Sequence, residues 1–136
     1  MKIIRKTRAR IKSIQVIYSY LAMEENFENV LQNYLKYNSL SENNCDIEYF
    51  HLLINNCISK IDVIIEKISS VLWSWKSQSL MLKSILICGT IESIVMLLPI
   101  SIAVNEYIEI ARLFGLHDST KVIHLILDEM KNIKLN

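Results

Sequence analysis

The sequence is poor in the residues that break a chain into turns. It holds two glycines, Gly89 and Gly115, and one proline, Pro99, in 136 residues. An all-β chain needs many more turn formers, so helices are favoured before any periodicity is counted. Cysteine is scarce as well. Cys45, Cys57 and Cys88 form no C-x-x-C spacing, and Cys57 and Cys88 lie among apolar residues. They read as small buried hydrophobes in a reducing cytosol rather than as disulfide partners or metal ligands. An excess of charge is missing too. Fifteen Lys and Arg against 14 Asp and Glu leave a formal net charge of +1. Whole-chain charge therefore gives no reason to expect nucleic acid; only a local cluster does.

The patterns of catalysis are also absent. There is no Gly-rich phosphate loop, no nucleophile elbow and no two-histidine metal spacing. His51, His117 and His124 are scattered. Glu106 and Glu109 stand three apart on a helix, a spacing typical of surface chemistry, and no nucleophile–base–orienter set is found. The sequence predicts neither an enzyme nor a bound metal or cofactor.

One apolar run needs testing as a membrane span. Ser84 to Val104 is apolar apart from Glu92 and some hydroxyls, and a span needs about 20 residues. Glu92 falls mid-run, where a carboxylate costs roughly 3 kcal/mol on insertion scales, and Pro99 cuts the run. A buried core helix ending before Pro99 is the expectation. At the N-terminus, Lys12, Gln15 and Ser19 interrupt the apolar residues, so no secretory signal is read.

What is present is hydrophobic periodicity at helical spacing. Half the residues, 51%, are hydrophobic, ample for the core of one domain or of two small subdomains. A first helix from about Arg5 or Lys6 carries the stripe Ile11, Ile14, Ile17, Tyr18 and Leu21. Arg5, Arg8 and Lys12 line its far side. Lys6 and Arg10 sit on a flank, where stems pack and charged heads reach water. This is the one dense basic cluster in the sequence. A short helix is expected at about 27–37, a long one after Asp46 to about Leu72, and another after Ser79 to about Leu97. Pro99 then ends that run and Ser101 is a candidate cap. Ala103, Val104, Tyr107, Ile108 and Ala111 share one face, and Asn105, Glu109 and Arg112 the wet one. Gly115 suits a left-handed helix end. Asp118 or Ser119 is expected to cap a last helix with Lys121, His124, Asp128 and Lys131 as its polar stripe. Val122, Ile123, Ile126, Leu127 and Met130 are its apolar side.

These residues also carry a resemblance. Pro99, Ala103-Val104-Asn105-Glu106, Glu109-Ile110-Ala111-Arg112, Phe114-Gly115, Asp118-Ser119, Lys121 and Leu127-Asp128 stand in the order and spacing of one C-terminal signature. Lys6, Arg8-Ala9-Arg10 and Gln15-Val16-Ile17-Tyr18 match its N-terminal counterpart, and Trp73 matches a tryptophan at the bundle junction. The sequence resembles the bacterial transcription antitermination factor family NusB over nearly its whole length. It departs at Ile11, Ile87, Ile91 and Leu125, the last placing a bulky side chain where the family packs backbone closely.

The resemblance implies an all-α bundle of about seven helices in two antiparallel three-helix subdomains, about 1–72 and 78–136. It implies recognition rather than catalysis, in the cytoplasm. Arg5, Lys6, Arg8, Arg10 and Lys12 would contact a single-stranded leader RNA of the boxA type. Tyr18, Asp118, Lys121 and Val122 would contact protein partners. Those partners would be a small-subunit ribosomal protein and the elongating RNA polymerase complex. The alternative is a helical protein–protein scaffold of the same fold with RNA binding weakened or lost.

Overall fold

Asn26, Asp46 and Ser79 each start a helix by the same chemistry. Their side-chain oxygens accept from the backbone N–H three residues on, at 2.9, 3.0 and 3.1 Å, satisfying a donor that the first helical turn leaves over. The computed structural model describes residues 2–133, with side chains from Arg5 onward. Residues 1 and 134–136, the outer ends of the two expected subdomains, lie outside the described residues. Within them the chain forms α1 (Lys2–Met23), α2 (Phe27–Tyr37), α3 (Ile47–Val71), α4 (Leu80–Thr90), α5 (Ile100–Leu113) and α6 (Thr120–Met130). Short 3-10 turns at Trp75–Ser77 and His117–Ser119 and a π turn at Ile91–Val95 join or extend them. No strand occurs among the described residues, and the fold is the all-α bundle expected.

The larger core runs through both halves of the chain. Ile14 and Ile17 of α1 and Leu53, Ile61, Ile64 and Ile68 of α3 pack with Ile85, Leu86, Tyr107, Ile123 and Leu127 of α4 to α6. Cys57 and Cys88 are buried in it, their sulfurs 3.9 Å apart, and burial raises the Cys88 thiol well above its usual range. A smaller core joins Ala9 and Val16 to Val30, Leu31, Tyr34, Cys45 and Phe50. There Tyr34 stacks on Phe50 at 6.3 Å and donates to Gln15 Oε1 at 2.6 Å.

Gly115 has φ +79°. The Leu116 N–H donates to the Ala111 carbonyl at 2.8 Å and the Gly115 N–H to that of Arg112 at 3.0 Å. That pair of bonds is the Schellman ending of a helix.

The structure departs from the sequence pattern in several places. Ser101 is not the cap of α5: the helix starts one residue earlier, at Ile100, with the Pro99 carbonyl accepting from Ile102 and Ala103, both at 3.0 Å. Neither Asp118 nor Ser119 makes a side-chain cap on α6; the 3-10 turn leads straight into it. Trp73 is 93% exposed, and Trp75 is the buried tryptophan, at 8%. Leu125 is 58% exposed and points its bulk to solvent rather than between helices. The run before Pro99 also stops being α-helical at Thr90, and the π turn takes over to Val95. No described helix is long and apolar enough to cross a membrane.

Candidate nucleic-acid interface

Helix α1 lies against α3 and α4 along its length and touches α2 and α5. Its apolar side is committed to the two cores, which leaves the basic side to its neighbours or to water. The five basic residues divide accordingly. Lys6 and Arg8 are exposed; Arg5 and Lys12 are half-buried; Arg10 is buried, at 4%. Arg5 forms an ion pair with Glu42 in the loop before α3, and its carbonyl accepts from the Asp46 N–H at 3.2 Å. Lys6 lays its Nζ over the Tyr49 ring, 4.8 Å from the centroid.

Arg10 corrects the expectation that its head reaches water. Its guanidinium is turned inward onto Glu92, which is fully buried. Nε lies 2.7 and 3.0 Å from the two carboxylate oxygens, and Nη2 lies 2.7 Å from Oε2. The Tyr107 hydroxyl donates to Oε1 at 2.7 Å, and the Tyr49 hydroxyl donates to Oε2. A second carboxylate, Glu106 of α5, lies 3.5 Å from Arg10 Nη1 and also accepts from the Thr7 hydroxyl at 3.2 Å. A carboxylate placed in an apolar core needs a paired cation and filled lone pairs, and this arrangement supplies both. Burial alone would lower the Arg10 pKa, but the hydrogen bonds and charge of Glu92 hold it above its ordinary value. Burial and then the Glu92 carboxylate raise both tyrosines, so both remain neutral donors.

Sequence reasoning did not bring these four residues together. The lone carboxylate inside the apolar run was the available signal, because a buried charge calls for a partner. Arg10, on the flank of the apolar stripe, was the basic side chain best placed to be it. Tyr107 lies on the apolar face of α5, but its hydroxyl needs an acceptor once buried.

The residues expected to meet protein partners lie on three elements. Asp118 sits in the 3-10 turn and Lys121 and Val122 in the first turn of α6; Asp118 and Lys121 are exposed and Val122 half-buried. Tyr18, 38% exposed, belongs to α1. Beside these α6 residues, the groove between α5 and α6 opens a shallow cavity of about 280 Å³, and a second of about 290 Å³ is lined by Lys121, His124, Leu125 and Asp128 of α6.

A family model described as the NusB family matches residues 7–132. The chain belongs to the NusB family. Two relatives, both called transcription antitermination protein NusB, span nearly all of it. The protein of Shewanella frigidimarina is 29% identical over 132 residues, 96% of this chain and 97% of its own. That of Blochmanniella pennsylvanica is 26% identical over 143 residues, 97% of this chain and 92% of its own. A protein chain in a crystal structure described as that of a plectonemic RNA supercoil shares the fold, with a TM-score of 0.79 at 16% identity over 92% of each chain. The NusB match includes Arg8, Arg10, Lys12, Tyr18, Asp118, Lys121 and Val122, and it begins just after Arg5 and Lys6. The family is one of non-enzymatic antitermination factors.

Proposed function

We propose that this NusB-family protein is a cytoplasmic transcription antitermination factor. In this reading it binds a single-stranded leader RNA of the boxA type together with a small-subunit ribosomal protein and joins the elongating RNA polymerase complex. Residues 1–72 and 78–136 are its two three-helix subdomains. The observation that carries the RNA reading is the division of labour along α1. Lys6 and Arg8 present charge to water, while Arg10 spends its charge on Glu92 and fixes the helix that displays them. Lys6, Arg8 and Lys12 meet phosphates; Arg5, paired with Glu42, adds a weaker contact; Arg10 positions the face. Tyr18, Asp118, Lys121 and Val122 meet protein partners. The balanced net charge of +1 suits a factor whose affinity depends on a second protein.

Each phosphate neutralised on single-stranded RNA contributes a slope of about −0.7 in log affinity against log salt. Replacing Arg8 and Lys12 together by Gln should flatten that slope by roughly one to one and a half units, with the melting temperature almost unchanged. The measurement is a salt titration of boxA-like RNA binding with the ribosomal protein present. A double variant that keeps the parent's affinity and slope makes this face a solvated surface and leaves the protein–protein scaffold as the better reading.

A further inference from the structure

Where α1 begins to run alongside α3, the surface is hollowed into a cavity of about 220 Å³ lined by Lys6, Asp46, Glu48, Tyr49 and Leu52. At roughly 30 Å³ per water molecule that is room for about seven waters, the scale of one nucleobase. We propose that this cavity seats a single unpaired guanine of the bound RNA; the inference rests on the RNA-binding reading above.

The Tyr49 ring is prepared for stacking before any ligand arrives. Its hydroxyl is tied to Glu92, and Arg10, itself held by Glu92, lies 5.7 Å from the ring centroid. A base that stacks on an immobile ring loses less entropy than one that must order its platform. Lys6 rests on that ring from an exposed position, where a cation–π contact is weak. An incoming base displaces the Lys6 Nζ, and the flexible stem carries the ammonium to an adjoining phosphate. Leu52, half exposed, gives the base an apolar edge.

The two carboxylates select the base. Asp46 Oδ1 is occupied in capping α3; Glu48 is exposed in the first turn of that helix. An ionised carboxylate accepts hydrogen bonds and donates none. Guanine offers it two adjacent donors, the N1 imino and N2 amino groups, one for each oxygen. Uracil offers one imino donor flanked by two carbonyls. Adenine and cytosine each set a ring-nitrogen acceptor beside their amino group, against the second oxygen. The same negative charge keeps phosphates off this wall, so only a base edge enters.

The test is a fluorescence-anisotropy titration with the ribosomal protein present. The probes are short oligouridylates with one central guanosine, one central inosine or neither. The parent should bind the guanosine strand on the order of tenfold tighter than the plain one, as a bidentate base contact does. Inosine, which lacks the amino group, should fall between them. Glu48→Gln should bring the guanosine-to-uridine ratio near one while keeping the salt slope, since Glu48 is exposed and outside both cores. Equal binding of all three strands by the parent, with a normal salt slope, overturns the guanine seat and leaves the RNA reading standing. So does a ratio that survives Glu48→Gln. If the parent binds boxA-like RNA but none of these strands, the guanine seat falls and the RNA reading stands; if it binds neither, both proposals fall.

Discussion

Arg10 and Glu92, 82 positions apart in sequence, meet as a forked ion pair with side-chain exposures of 5% and 0%. Their energetics are lopsided. Two charges removed from water contribute little net stability against a well-packed apolar pair, but removing one partner leaves the other stranded. Arg10→Met should therefore cost about 3–5 kcal/mol in denaturant unfolding. Pairing it with Glu92→Leu should recover much of that loss, a coupling that a double-mutant cycle reads directly. Arg10→Lys should fail as well, because an ammonium lacks the planar fork that serves both oxygens. Additive losses in the cycle would show that the two side chains are independent.

The two glycines predict different failures. At Gly115 an added Cβ meets nothing within 4 Å, so the cost of Gly115→Val is purely that of holding a branched residue at φ +79°, on the order of 1 kcal/mol or more. Gly115→Asn should cost less, since Asn tolerates that region. At Gly89 the conformation is ordinary, but a Cβ would lie 3.1 Å from Leu127 Cδ2 and 3.3 Å from the Tyr107 ring. The Leu127 methyl can move; the ring is pinned through its hydroxyl to Glu92. Gly89→Ala should destabilise by about 1–3 kcal/mol, as overpacking does. Thermal melts of the three variants decide it, and an unchanged melting temperature for Gly115→Val would refute the cap.

Alkaline pH should destabilise the protein in part through Tyr34 of the smaller core. Burial and then the nearby Cys45 push the Tyr34 hydroxyl up from 10.0 to about 12. In that interval the unfolded chain releases the tyrosine proton and the folded one keeps it. Stability from Tyr34 is thus complete below pH 10 and is lost as pH rises through about 12. Tyr34→Phe removes the ionisation, so its urea midpoint should fall less steeply over that interval than the parent's. Parallel slopes would exclude Tyr34 as a contributor.

Two tryptophans in neighbouring positions should behave as opposites. Trp73, 93% exposed, should be quenched freely by iodide and should change to Ala with little effect on stability. Trp75, 8% exposed, should resist quenching and cost about 3–5 kcal/mol when cut to Ala. The reverse pattern in single-tryptophan variants would invert the assignment.

Asp46 and Gly115 were legible in the sequence because their chemistry is local. A cap acts over three residues and a left-handed ending over five, so spacing alone fixes both. The apolar stripes of α3 and α6 were legible for the same reason. Ser101 and Ser119 show the limit of that logic: each has the right side chain, but the backbone enters the helix through Pro99 and through a 3-10 turn instead. Trp73 carries the resemblance at the bundle junction, but spacing says nothing of its burial, since the exposure of Trp73 and Trp75 depends on how the chain turns between α3 and α4. In the candidate site, Arg8 was visible as exposed charge on the far side of α1, whereas Arg5 and Lys12 on that side are half-buried, and of the flanking pair only Lys6 reaches water. The inward turn of Arg10 was not visible, because its partner arrives from the π turn after α4 and the tyrosines that complete it come from α3 and α5.

The continuity of the larger core has a consequence for synthesis. Proteins emerge N-terminus first, and α1 is made before nearly everything that holds it. Ile14 and Ile17 join a cluster that draws on every helix from α3 to α6, and Arg10 waits for a carboxylate 82 residues downstream. On the ribosome the basic helix therefore stands without its seat until most of the chain has been translated. A nascent protein cut short before Glu92 would hold its basic helix through the smaller core alone, with Arg10 left without the carboxylate that turns it inward.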